Sequence, residues 1–110
     1  MSMYGLKSDQ DLGFLCDREL MQVCVGLYQV ILRFDSSVSL SVTGRYLLND
    51  SPAQPSHLLA LLGRRIVTTE NMGQGTIVVR FDDGSHLAVL DSNQHYESYE
   101  ISAPGIYVIV

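Results

Sequence analysis

Between Thr76 and Val89 the sequence TIVVRFDDGSHLAV puts Ile77, Val79 and Phe81 at every second position, with Thr76, Val78 and Arg80 between them. A period of two is that of a strand with one buried face. Leu87 and Val89 resume the apolar face beyond Asp83-Gly84. Asp-Gly between alternating runs predicts a hairpin with a type I′ turn, because that turn needs positive φ at both central residues, which Asp tolerates and Gly adopts freely.

The same pattern occurs 47 positions earlier, where Gln29 to Val42 (QVILRFDSSVSLSV) overlies Thr76 to Val89 without a gap. Arg33-Phe34-Asp35 falls on Arg80-Phe81-Asp82, and the offset extends back to pair Leu12 with Leu59, Leu15 with Leu62, Arg18 with Arg65 and Gly26 with Gly73. Nine of the 31 pairs are identical, where unrelated sequences would give about two, which points to an internal repeat over about 12–42 and 59–89. Each copy reads as a short helix followed by a three-stranded meander.

In the first copy Ser8 is placed to cap a helix with Asp9 and Asp11 in its first turn and Leu12, Phe14 and Leu15 on its apolar side. Strands follow from about Glu19 to Val25, Tyr28 to Phe34 and Val38 to Leu48. Asn49 to Ser56 (NDSPAQPS) is linker-like and separates the copies. In the second copy a helix from His57 to Leu62 carries LLALL, apolar nearly all round and therefore expected to be buried, with Gly63 at its end. Strands are expected at Arg65 to Glu70, Gly75 to Asp82 and Ser85 to Leu90, then at His95 to Ile101 and Ile106 to Val110. The predicted fold is mainly β with one or two short helices: a single domain over 1–110 in which two antiparallel meanders close on each other as a sandwich or partly open barrel. Val30, Leu32, Phe34, Leu40 and Val42 should meet Ile77, Val79, Phe81, Leu87 and Val89 in its core. IYVIV at the carboxyl terminus would invite aggregation at an exposed edge, so it is expected inside the sheet or covered by a second subunit, which makes a homodimer through this strand one expectation.

At 46% apolar residues, a chain of 110 can fill such a core without outside help. No apolar run approaches the roughly 20 residues of a membrane-spanning helix and no signal sequence is visible, so the cytoplasm is the expected location. Cys16 and Cys24 match no metal or redox spacing and read as free thiols. Charge is unevenly placed: residues 1–80 sum to zero, while Asp82, Asp83, Asp91, Glu97 and Glu100 carry the whole net charge of −5. Nucleic acid is disfavoured as a partner, since phosphate contact depends on clustered Lys and Arg, and a basic protein partner is favoured by comparison.

Chemistry has little to build on. Asp82, Asp83 and His86 resemble metal ligands only in type, because the aspartates are turn formers and the other copy has serines beside Asp35; Asp91, His95 and Glu97 mix a loop with a strand. No serine lies in a nucleophile elbow, and Gly73-Gln74-Gly75 sits between strands with no following helix, so no catalytic residue, metal or cofactor is assigned. Tyr96, Tyr99 and Tyr107 with Glu97 and Glu100 suit either a protein interface or cross-strand aromatic pairing. Arg33 and Arg80, at matched positions facing away from the core, are expected to pair with a carboxylate, Glu97 or Glu100, or else to build an anion site together.

Phe81-Asp82-Asp83-Gly84-Ser85 followed by Tyr96-Glu97-Ser98-Tyr99, after the strand Leu20-Met21-Gln22-Val23-Cys24-Val25, resembles a family of small, uncharacterised bacterial proteins known as a domain of unknown function. The resemblance runs from about Leu12 to Ile101, implies a bacterial source and supplies no activity. Size and acidity also resemble those of immunity proteins of bacterial toxin systems. The expected function is a non-catalytic protein-binding module, of immunity type against a basic partner, with Tyr96, Glu97, Tyr99, Glu100, Arg33, Arg80, His86 and His95 as binding residues. The alternative is a small-ligand binder or enzyme with a cleft between the halves, which His86, His95 and Arg80 in one deep pocket would favour.

Overall fold

Val30, Leu32, Phe34, Leu40 and Val42 from one half and Ile77, Val79, Phe81, Leu87 and Val89 from the other are all buried in one apolar cluster, as their alternation predicts. The computed structural model describes residues 11–91 and 98–110 and the backbone of Ser2–Tyr4. Its strands are β1 (Ser2–Tyr4), β2 (Leu20–Val25), β3 (Val30–Phe34), β4 (Ser39–Val42), β5 (Tyr46–Leu48), β6 (Ser51–Pro52), β7 (Ile66–Gly73), β8 (Thr76–Phe81), β9 (His86–Val89), β10 (Tyr99–Ala103) and β11 (Ile106–Ile109). They form a six-stranded sheet in the order β1-β11-β10-β4-β3-β2 and a five-stranded sheet in the order β6-β5-β9-β8-β7. Every pairing is antiparallel except that of β1 with β11. The fold is mainly β, and the sheets stay separate rather than closing into a barrel.

Each half supplies one three-stranded meander, β2-β3-β4 to the first sheet and β7-β8-β9 to the second. The stretch from Val38 to Leu48 is not the single strand its pattern predicts. After Val42 the chain leaves the first sheet, and β5 pairs with β9 in the second; β10 later makes the reverse crossing and pairs with β4. Matching bonds hold the two crossings: Thr43 N donates to Ser98 O (2.9 Å) and Leu90 N to Arg45 O (3.0 Å). Alternation reports which face a residue takes and is blind to which sheet it joins.

At the opposite end β2 and β7 meet around the bridge between Glu19 and Arg65, where Leu20 N donates to Arg64 O and Ile66 N to Arg18 O, both at 2.9 Å. These bonds are reciprocal when Leu20 is matched with Ile66, an offset of 46, not 47. The slip arises between the strands. Val25 pairs with Val30 across four residues, whereas Asn71 pairs with Ile77 across five, the extra one absorbed by a bulge. Leu12 and Leu15 therefore match the buried Leu58 and Leu61, while Leu59 and Leu62, the partners expected from the gap-free alignment, are 50% and 42% exposed. The segment Pro55–Leu61 is a 3₁₀ helix, whose three residues per turn set Leu58 and Leu61 in line and turn the rest of LLALL outward. Gly13–Leu15 forms a 3₁₀ turn; Ser8, the expected cap, lies outside the described residues.

The type I′ turn expected at Asp83-Gly84 is found instead in the other half. Ser36 and Ser37 both have φ near +60° (59° and 62°), and Val38 N donates to Asp35 O (3.4 Å), so the type I′ pattern falls in the turn without glycine. In the β8–β9 turn Gly84 alone has positive φ (88°), and Gly84 N donates to Phe81 O, a type I turn completed by a left-handed glycine. Asp83 is engaged in that turn, its Oδ1 accepting from Ser85 N (2.9 Å) and its Oδ2 from Ser85 Oγ (3.1 Å). At the carboxyl terminus β11 lies between β10 and β1, so it is inside the sheet as expected. Both its edges are occupied by strands of the same chain. No helix among the described residues is long and apolar enough to cross a membrane.

Candidate binding site

The predicted site residues do not converge. Arg33 stands opposite Gln22 and Ser39 on the outward face of the first sheet, and Arg80 stands opposite Thr68 and His86 on the outward face of the second. The sandwich separates them, so they build no common anion site. Arg80 does pair with a carboxylate, but with Glu70 (3.1 Å) rather than Glu97 or Glu100, and His86 Nε2 lies 3.0 Å from Asp50 Oδ1. Glu70 with Arg80 and Asp50 with His86 thus form two separate pairs on the outward face of the second sheet. Glu100 accepts a hydrogen bond from the Tyr107 hydroxyl at 2.8 Å. His95, Tyr96 and Glu97 lie outside the described residues. The acidic residues of the last third are also dispersed: Asp82 and Asp83 occupy the β8–β9 turn, Asp91 follows β9 at the other end, and Glu100 lies within β10. Among the described residues no three His, Cys, Asp or Glu side chains are grouped as metal ligands.

Tyr99, expected at a contact surface, is fully buried. Its hydroxyl donates to Gly75 O in the β7–β8 turn (2.5 Å), and the neighbouring Ser98 Oγ donates to Asp91 Oδ1 (3.0 Å). Burial, and secondarily the Asp91 carboxylate, hold the Tyr99 phenol above its ordinary value of 10.0. A raised folded-state pKa means that stability is intact below pH 10 and falls as pH rises beyond it, where the unfolded chain loses the proton and the native one keeps it. Alkaline unfolding followed by circular dichroism should therefore show a decline that Tyr99→Phe lessens; an identical pH slope in the variant would count against this.

The hydrogen bonds that hold the two crossings match Tyr99 with Tyr46, since Thr43 corresponds to Leu90 and Arg45 to Ser98. Tyr99 pairs with Val42 and Tyr46 with Val89, themselves counterparts. The surroundings differ. Tyr99 reaches a carbonyl within the five residues that separate Asn71 from Ile77, whereas four residues separate the matching Val25 and Val30, and these close on themselves, Gly26 N donating to Gln29 O (2.8 Å). Between them and Tyr46 lies a cleft of about 220 Å³, floored by Val30 and Val42 and walled by loop 26–29, Thr43, Gly44, Tyr46 and Pro55. None of its lining residues is charged. Burial raises the Tyr46 phenol above its ordinary pKa, and its hydroxyl has no partner among the described residues. At the lip Leu27 is 87% exposed and Tyr28 83%.

Reading the sequence for charge and tyrosine density points to the last third and misses this site. Its signal is Tyr46 four residues after Val42 against Tyr99 ten residues after Val89, a correspondence that a gap-free comparison cannot find.

No curated protein and no solved structure matches the chain. A family model does match, over residues 15–110, which takes in both meanders, both crossings and the cleft. The chain belongs to the Family of unknown function (DUF6188), in agreement with the expected likeness to a domain of unknown function.

Proposed function

We propose that this chain is a non-catalytic bacterial protein-binding module of the cytoplasm, with an immunity-type role against a basic partner as its most specific form. The observation that carries the reading is the pair Leu27 and Tyr28, 87% and 83% exposed on one hairpin tip beside an uncharged cleft. A leucine and a tyrosine held out on a short, closed turn expose apolar area at a stability cost with no folding benefit, and such side chains are the usual anchors of protein interfaces. The net charge of −5 would steer a basic partner toward the molecule, although the contact itself falls on the apolar tip rather than on the dispersed acids. The same reading takes the two halves as an internal repeat within one domain, supported by the reciprocal bonds at both ends.

The test compares wild type with Leu27→Ser/Tyr28→Ser as bait in extract of the native host, with captured proteins identified by mass spectrometry. A partner held by wild type and lost from the variant, with association slowing as salt rises, is expected. Equal capture by both baits would contradict the reading. A second reading, a small-ligand binder, is favoured by the cleft itself, and would show as a metabolite that co-purifies with wild type and is lost from the same variant.

A further inference from the structure

The cleft is lined by Tyr46, whose hydroxyl has no partner among the described residues, at a position whose counterpart shows what such a phenol binds. In the second half the Tyr99 hydroxyl donates to the carbonyl of Gly75, which lies among the five residues between Asn71 and Ile77. In the first half only four residues separate the matching Val25 and Val30, and Tyr46 lines a space of about 220 Å³. We infer that the Tyr46 cleft receives a backbone carbonyl from an uncharged turn of a partner polypeptide, which takes beside Tyr46 the place that the Gly75 turn takes beside Tyr99.

The lining refines the occupant. A Cβ at Gly75 would come within 2.6 Å of the Asp91 Cβ, so the second half admits only glycine at that point. Gly44 stands where Asp91 stands, without the carboxylate that imposes this limit, and the bound turn is therefore free to carry a side chain. That side chain meets Pro55 and the exposed Leu27 and Tyr28, which favours an apolar one. A charged group would lose its hydration in a cleft that offers no countercharge.

This rests on the protein-binding reading but is tested separately. The probe is a blocked cyclic peptide reproducing the turn from Asn71 to Ile77, titrated into the ¹⁵N-labelled full chain and followed by amide NMR. Saturable shifts confined to loop 26–29, Thr43 and Tyr46 are expected. Tyr46→Phe, which removes a hydroxyl without a partner among the described residues and should leave the thermal midpoint unchanged, is expected to weaken the peptide about three- to tenfold, and Tyr99→Phe to leave its Kd alone. Absence of saturable shifts there, or an equal Kd for Tyr46→Phe, would overturn the inference. If Leu27→Ser/Tyr28→Ser still abolishes partner capture in that case, the binding reading survives and only the carbonyl site fails; if neither variant matters, both fail.

Discussion

Phe81→Ala should lower the stability of this protein by about 3 to 5 kcal/mol, and Phe34→Ala by a similar amount. Both rings are buried, at matched ends of β8 and β3, and each closes its strand against the neighbouring edge strand, Phe34 opposite Leu20 and Phe81 opposite Ile66. Truncation removes the transfer free energy of the ring and leaves a cavity that a sandwich held by two sheets cannot collapse to fill. Because Leu20 and Ile66 also carry the reciprocal bonds that join β2 to β7, the loss falls on the seam between the sheets. Urea unfolding of each variant is the measurement. Unchanged midpoints in both would remove these residues from the core.

The second large effect is expected at Gly75. With φ at +82° and a notional Cβ 2.6 Å from Asp91 Cβ, Gly75→Ala must meet both the left-handed penalty, roughly 1 to 2 kcal/mol, and overpacking of roughly 1 to 3 kcal/mol. The sum is about 2 to 5 kcal/mol, and the two parts are separable. Asp91→Gly in the same chain removes the obstructing side chain, so the double variant should regain the overpacking part and keep the backbone part, a coupling that a double-mutant cycle in urea reads directly. Additive effects would show that Asp91 does not confine this turn.

Much of this architecture is legible in the chain because burial imposes a period that composition cannot hide. Alternation at Ile77, Val79 and Phe81 and at their counterparts places the two meanders and the core correctly. What escapes is set by longer-range geometry. The crossing at Thr43-Gly44-Arg45 interrupts no hydrophobic period, β1 is too short to show one, and a one-residue difference in loop length shifts Leu58 and Leu61 into the places expected for Leu59 and Leu62. The turns escape for a related reason. Asp-Gly permits a type I′ turn without requiring it, and the serines at 36 and 37 adopt positive φ because the strands they join demand that twist. The site is the least legible part. Charge and tyrosine content single out Tyr99, which the fold buries, and the repeat singles out Arg33 and Arg80, which the fold sets on opposite outward faces. Tyr46 and Tyr28 acquire meaning only when the halves are compared in space.

The most direct test of the account is to map the surface a partner covers. With ¹⁵N-labelled protein and the partner recovered from the native host, amide shift perturbation should concentrate on residues 26–30 and 42–46, around Leu27, Tyr28 and Tyr46. Perturbation centred instead on the outward row of Glu70, Arg80, His86 and Asp50, or on Glu100 and Tyr107, with loop 26–29 unmoved, would contradict it.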